Sequence, residues 1–246
     1  MHIASARLPA YADGVQNRQI SPRKVSFVSI TCLHTAESNI AVFEAAARAV
    51  GLPDGSLRHE VRADLLADAE RDGGLTPEIE ARTGEVLLAL CAGADAVLLT
   101  CSTLGPAASS AAHSAPVPVL RVDGALATEA VRDGGKVVAL CAVETTVAPT
   151  RALFEAAARE TGAAVEVRVV PGAWAVFKAG DQNRYLAMIA AASDEASRHG
   201  ASRVALAQAS MAGAADLTRE GVRPLTSPTV GLAAALEAAS AVLDGS

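Results

Sequence analysis

Hydrophobic and polar positions along the chain fall into two recurring patterns. Short apolar runs of strand length occur at Val25 to Thr31 (VSFVSIT), Gly93 to Leu99, Pro118 to Val122, Lys136 to Ala142 (KVVALCA), Gly200 to Ala207 and near residue 224. Continuous apolar runs bounded by glycine or proline predict strands buried on both faces, as in parallel sheets. Helical spacing marks Ile40 to Val50 closed by Gly51, Thr76 to about Ala92, Gly124 to Val131, the stretch from Phe154 to Gly162, and the stretch after Gly231. Thr76 suits an N-cap and Pro77 the first helical position, where the missing N–H has no partner to lose. Residues 52–73 read as a polar connection holding a short strand around His59-Glu60-Val61. Residues 1–23 carry no period and read as a loosely ordered extension.

The segment Leu99-Thr100-Cys101-Ser102-Thr103-Leu104-Gly105-Pro106 joins a buried strand to an Ala/Ser-rich helix that opens with Pro106. Cys101 is thereby expected at the carboxyl end of a parallel strand, facing a helix N-terminus. Open α/β sheets bind their ligands at that edge. Helix dipoles and free N–H groups there lower a thiol pKa from its usual value of about 8.5. The plainer alternative is a free cysteine that merely fills a core.

A long repeat sets Cys101 apart. Phe154-Glu155-Ala156-Ala157-Ala158-Arg159 echoes Phe43-Glu44-Ala45-Ala46-Ala47-Arg48 at an offset of 111, which also lays the strand at Lys136 on that at Val25. Gly200 to Ala207 echoes Gly93 to Thr100 at an offset of 107, and Gly231 falls on Gly124 at the same spacing. Such a repeat predicts an α/β fold of two halves related by a pseudo-twofold axis, each a small parallel sheet flanked by helices, with the site in the cleft between them. The expected division is an extension over 1–24, a first half over 25–124 and a second over 125–246, with terminal helices free to cross between them.

Composition narrows the function. A hydrophobic fraction of 51% with 20% charged residues describes a well-buried globular chain. A net charge of -6 and an aromatic fraction of 3% argue against nucleic acid and acidic membranes as partners. No stretch approaches the roughly 18 apolar residues of a membrane span, and the N-terminus lacks a secretory pattern, so a cytoplasmic location is expected. Cys32, Cys91, Cys101 and Cys141 follow no disulfide or zinc spacing. Cys32-Leu33-His34 hints at a metal, but no further ligands recur at zinc spacing, so no metal is expected. The loop Cys32-Leu33-His34-Thr35-Ala36-Glu37-Ser38-Asn39 contains no glycine, against a dinucleotide-binding turn. Gln208-Ala209-Ser210 departs from a nucleophile elbow because Gln208 stands where a small residue is needed.

Carried through the turns, the 107 offset pairs Cys101 with Gln208, Ser102 with Ala209 and Thr103 with Ser210, while the 111 offset pairs His34-Thr35 with Thr145-Thr146. A shared cleft would present these side chains to one ligand, and hydroxyls with helix-start amides suit a carboxylate or a developing enolate. Thr145, Thr146 and Thr150 equally suit helix capping. Asp123 suits either a cap or the cleft. Cys91 and Cys141 suit core positions, whereas His59, His113 and His199 suit the surface or satisfied loops.

The residues that meet in this scheme, LLTCSTLGP around Cys101, ETTVAPTRALFEAAA from Glu144, VALAQASMAG around Gln208 and LTSP at Leu225 to Pro228, resemble the aspartate/glutamate/hydantoin racemase superfamily over roughly residues 25–240. That superfamily includes arylmalonate decarboxylase-like and maleate isomerase-like members. The resemblance implies a cofactor-independent site between two α/β halves, with a cysteine from each half serving as acid or base on opposite faces of a carbon beside a carboxyl or carbonyl group. Cys101 matches the first cysteine. The second falls on Gln208, or on Ser210 if the turn is shifted, and neither is a thiol. Cys32-Leu33-His34-Thr35 also replaces the aspartate and serine that some members carry after the first strand.

The implied catalytic residues are Cys101 and His34, the latter a second base with an ordinary pKa of about 6.5. Ser102, Thr103, Thr145, Thr146, Gln208, Ala209 and Ser210 would bind the substrate, a small carboxylic acid or hydantoin-like molecule. No cofactor is expected, and the architecture is one that often self-associates as a homo-oligomer. Alternatives are a single-cysteine decarboxylase of a malonate-like acid, a cysteine hydrolase that uses His34, and a non-catalytic protein that binds small carboxylates.

Overall fold

A computed structural model describes residues 28–244. The extension expected over 1–24, and the opening Val25 to Phe27 of the expected first strand, lie outside the described residues. The first half runs β1 (Ile30–His34), α1 (Ser38–Ala49), β2 (Leu57–Val61), α2 (Ala63–Arg71), α3 (Pro77–Leu90), β3 (Ala96–Leu99), α4 (Gly105–Ala111), β4 (Val119–Arg121) and α5 (Val122–Val131). The second runs β5 (Lys136–Cys141), a 3-10 turn at Glu144–Thr146, α6 (Val147–Ala158), β6 (Ala164–Val169), α7 (Ala173–Lys178), α8 (Gln182–Arg198), β7 (Arg203–Leu206), a 3-10 helix at Ala209–Asp216, β8 (Leu225–Thr226) and α9 (Ser227–Asp244).

Each half forms a four-stranded parallel sheet, with orders β2-β1-β3-β4 and β6-β5-β7-β8. The pairing Ile30↔Ala96 recurs as Val137↔Arg203, both partners displaced by 107 residues. The helices α1 and α6 instead place Phe43 and Phe154 in equivalent buried positions, 111 residues apart. The four extra residues sit in the loop that holds the 3-10 turn at Glu144–Thr146. The expected match of His34-Thr35 with Thr145-Thr146 is therefore corrected: strand register sets His34 on Cys141 and Thr35 on Ala142.

β1 also lies further along the chain than Val25 to Thr31, because Cys32, Leu33 and His34 pair with His59, Glu60 and Val61 and are fully enclosed. α2 emerges from the stretch read as a polar connection. Its buried stripe is only Leu65 and Ala69, too narrow to stand out among acidic neighbours. α9 starts before Gly231, with Pro228 in its first turn.

The helix that leaves each sheet packs on the other one. Leu232, Ala235 and Ala239 of α9 share a core with Ile30, Cys32, Phe43 and Leu98, while Leu126, Ala127 and Ala130 of α5 share one with Val137, Ala139, Cys141 and Phe154. Full burial of each leucine or phenylalanine here contributes about 1.5–3 kcal/mol. Two glycines permit the closest approaches. A Cβ on Gly105 would overlap the Arg121 guanidinium, which is itself held by Asp123. One on Gly231 would stand 2.5 Å from Val122 Cγ2 on α5 and 3.4 Å from Leu98 Cδ2 on β3.

Helix propensity alone favours alanine over glycine by about 1 kcal/mol at a helix interior. Val122 is β-branched and stiff, so it cannot swing aside cheaply. Gly231→Ala is accordingly expected to lose about 1–3 kcal/mol in urea unfolding, the usual range for an overpacked core. A variant more stable than wild type would contradict this packing.

Candidate functional site

The carboxyl ends of β1 and β3 are tied through Thr100. Its backbone N–H donates to the Leu33 carbonyl at 3.0 Å, and its hydroxyl donates to the same oxygen at 3.1 Å. Its Oγ1 also lies 2.8 Å from Nδ1 of His34, within hydrogen-bond distance. His34 Nε2 faces Nδ1 of His59 on β2 at 2.9 Å, and Nε2 of His59 meets the Glu44 carboxylate of α1 at 3.0 Å. Burial, reinforced by His59, pushes the His34 pKa down to about 4, so the ring is neutral near pH 7.

Cys101 follows Thr100 directly, in the turn that leads to α4. Its side chain is half-buried and touches the cluster formed by Leu33, Leu99 and Leu104. Cys32, Cys91 and Cys141 are buried, so Cys101 is the one accessible thiol among the described residues. Burial, with the nearby Glu44 charge, raises the Cys32 thiol to about 12, and burial also raises those of Cys141 and Cys91. Ser102 and Thr103 are half-buried beside Cys101.

The equivalent turn of the second half presents an amide. Gln208 Oε1 accepts from the backbone N–H of Ala142 at 2.8 Å, and its Nε2 donates to Thr146 Oγ1 at 2.9 Å. Thr146 passes its own proton to the Val143 carbonyl at 2.7 Å rather than capping α6. Thr145 is exposed. Ser210 Oγ lies 2.9 Å from the hydroxyl of Tyr185, a fully enclosed residue of α8 whose pKa burial raises. Ala209 is buried in the core that also contains Cys32 and Phe43, so the second turn rests against the first half.

Thus His34 joins Thr100, and Gln208 joins Thr146. His34 is nevertheless fully enclosed, with both ring nitrogens engaged, and reaches the Cys101 turn through Thr100. His59 is not a surface or loop residue but part of β2, bonded on both sides. Asp123 pairs bidentately with Arg121, each contact 2.7 Å, and accepts from the Gly124 N–H. A cavity of about 780 Å³ lies elsewhere, lined by residues of β4, α5 and α9 such as Arg121, Glu129 and Glu237. Sequence reasoning missed Thr100, His59, Glu44 and Tyr185 as parts of these networks. Thr100 was the most legible, standing beside Cys101; the other three arrive from separate elements without a local motif.

The chain belongs to the Asp/Glu/Hydantoin racemase family, whose model matches residues 34–236. Solved structures of similar fold include an aspartate racemase from Picrophilus torridus (TM-score 0.64, 11% identity, covering 87% of this chain and 94% of that one). An allantoin racemase from Pseudomonas fluorescens aligns with TM-score 0.61 and 18% identity over 88% of this chain and 91% of the other. Glutamate racemase RacE1 from Bacillus anthracis gives 0.55 and 16% over 89% and 82%. Among curated proteins, no sequence matches the chain.

The burial pattern predicts the order of thiol reactivity. Brief alkylation of the native protein with iodoacetamide, read by peptide mass spectrometry, is expected to label Cys101 well ahead of the others. Cys32 and Cys141 should be labelled only after unfolding. Equal labelling of Cys141 or Cys32 in the native state would contradict the placement.

Proposed function

We propose that this protein is a cofactor-independent enzyme that transfers a proton at a carbon next to a carboxylate or carbonyl, with Cys101 as its acid/base. The observation that supports this most is the position of the one accessible thiol, at a strand's carboxyl end in the turn whose repeat partner is Gln208. Aspartate, glutamate and allantoin, in the names of the similar structures, each carry a C–H beside a carboxylate or carbonyl. A small acid or hydantoin-like substrate of that kind is the expected ligand.

In this reading the Cys101 thiolate removes the proton, or the thiol delivers one, as negative charge develops on the adjoining oxygens. Ser102, Thr103, Thr145, Ser210 and the backbone at Ala209 supply donors for that charge, while Thr146, whose proton goes to the Val143 carbonyl, holds the Gln208 amide beside them. Gln208 hydrogen-bonds but cannot ionise. Its amide is already fixed by Ala142 and Thr146, so it holds the second turn in shape. His34, neutral and enclosed, acts as a positioning residue through Thr100 rather than as a base in contact with substrate. Removing a proton from one face and delivering another to the opposite face takes two competent groups. One thiol therefore limits the chemistry to a single face.

The fixed Gln208 favours a second reading: protonation of an enediolate by Cys101 after a malonate-like acid has lost carbon dioxide. Both readings are tested by incubating wild type and Cys101→Ala with small carboxylic acids and hydantoins in deuterated water. Deuterium incorporation without mass loss indicates proton exchange, and carbon dioxide release indicates decarboxylation. Cys101→Ala is expected to lose about 10²–10⁴-fold or more of either activity, the usual worth of a general acid or base. Turnover that survives unchanged would remove the proposal. A wild-type protein that is stabilised by these acids but turns none over would make the chain a binding protein.

A further inference from the structure

The network beneath the proposed site brings three metal-ligand side chains together. Thr100 Oγ1 lies 2.8 Å from His34 Nδ1, holding that outer nitrogen, and 3.1 Å from the Leu33 carbonyl oxygen. The Glu44 carboxylate only accepts, so His59 must carry its proton on Nε2. His34 Nε2 and His59 Nδ1 face each other at 2.9 Å. Cys32 is the register partner of His59 across β1 and β2, and its side chain shares the α1-facing side of the sheet with His34 two positions on. One donor atom from each of Cys32, His34 and His59 lies within 4.8 Å of the other two.

We propose that Cys32, His34 and His59 bind a divalent transition-metal ion of the zinc type. A thiolate and two imidazole nitrogens are the donor set that such an ion selects over magnesium or calcium. Metal bonds of about 2.0–2.3 Å set tetrahedral ligand atoms roughly 3.3–3.6 Å apart, a spacing that small side-chain rotations reach from the present one. The outer partners are already in place. Glu44 and Thr100 hold the remote nitrogens, as carboxylate and hydroxyl groups do around histidine ligands, which leaves His59 Nδ1 and His34 Nε2 to face the ion. Binding would form one sulfur–metal and two nitrogen–metal bonds and release the Cys32 proton to water. Cys32 and His34 are fully enclosed, whereas the His59 side chain is 13% exposed, so entry and any fourth ligand come from the side of His59 and Glu44.

The ion would clamp β1 to β2 and, through Thr100, steady the residue that precedes Cys101. The site stands independently of the catalytic reading, since none of its ligands is Cys101. No ligand spacing announces it in the sequence: His59 lies 25 residues from His34 and meets it only through strand pairing.

The test loads the purified, chelator-stripped chain with zinc chloride or cobalt chloride. Stoichiometric zinc by mass spectrometry, a rise in the unfolding temperature, and a thiolate-to-cobalt charge-transfer band are expected. Cys32→Ser should abolish that band, and His59→Gln should weaken zinc binding by about 10-fold or more; Cys101→Ala should leave both intact. His59 is partly exposed, so its variant tests the site even if Cys32→Ser folds poorly. Absence of stoichiometric metal would overturn the proposal. A band lost in Cys101→Ala but kept in Cys32→Ser would overturn it as well, by moving the ion to the other thiol.

Discussion

Each sheet in this molecule is completed by the helix that departs from the other one. α9 closes the face of the first sheet that includes Cys32 and Leu98, and α5 closes the face of the second that includes Cys141 and Val137. A parallel sheet needs cover on both faces, so neither half has a finished core without its neighbour. The absent side chain of Gly231 lets the two crossing helices meet at Val122. The relation between the turns at Cys101 and Gln208 follows from this exchange rather than from any direct bond between them. Ala209, buried beside Phe43 and Cys32, marks where the second turn settles on the first half.

Within that frame the repeat has been put to unequal uses. Strand register makes His34 the counterpart of Cys141, and Cys101 that of Gln208. In the second half Cys141 is a buried core residue with Thr150 beside its sulfur, and Gln208 spends its amide on the loop at Ala142 and Thr146. In the first half the same positions carry a buried histidine relay and an accessible thiol. In the proposed reading one half supplies the chemistry and the other a wall of polar groups, a division that a symmetric pair of thiols would not need.

Much of the architecture was legible because its signals are local. Runs such as KVVALC and AVLL are apolar on both faces, and the 107 spacing survives in strands whose neighbours all repeat together. The 111 spacing misled at His34 because it belongs to the helices, four residues out of step with the strands. The stretch from Ala164 to Arg198 gave no expectation at all, and there the edge strand β6 is only partly buried and α8 mixes polar with apolar residues. In the site, Cys101 was readable from the strand-to-helix punctuation around it. His59 and Glu44 were not, since their roles arise from pairing between strands and from α1 lying over them. Enclosure of His34 was equally hidden, because a residue at a strand end can point toward a cleft or be covered by a neighbour.

The central claim is that a single thiol handles the proton, with an amide rather than a second acid or base in the mirrored position. Its most direct measurement is the stereochemical course of deuterium delivery by the wild-type protein, assigned by chiral chromatography and NMR on whichever substrate exchanges. The account predicts label on one face of the reacting carbon only. Label on both faces at comparable rates would contradict it, because that outcome requires a second ionisable group that Gln208 cannot supply.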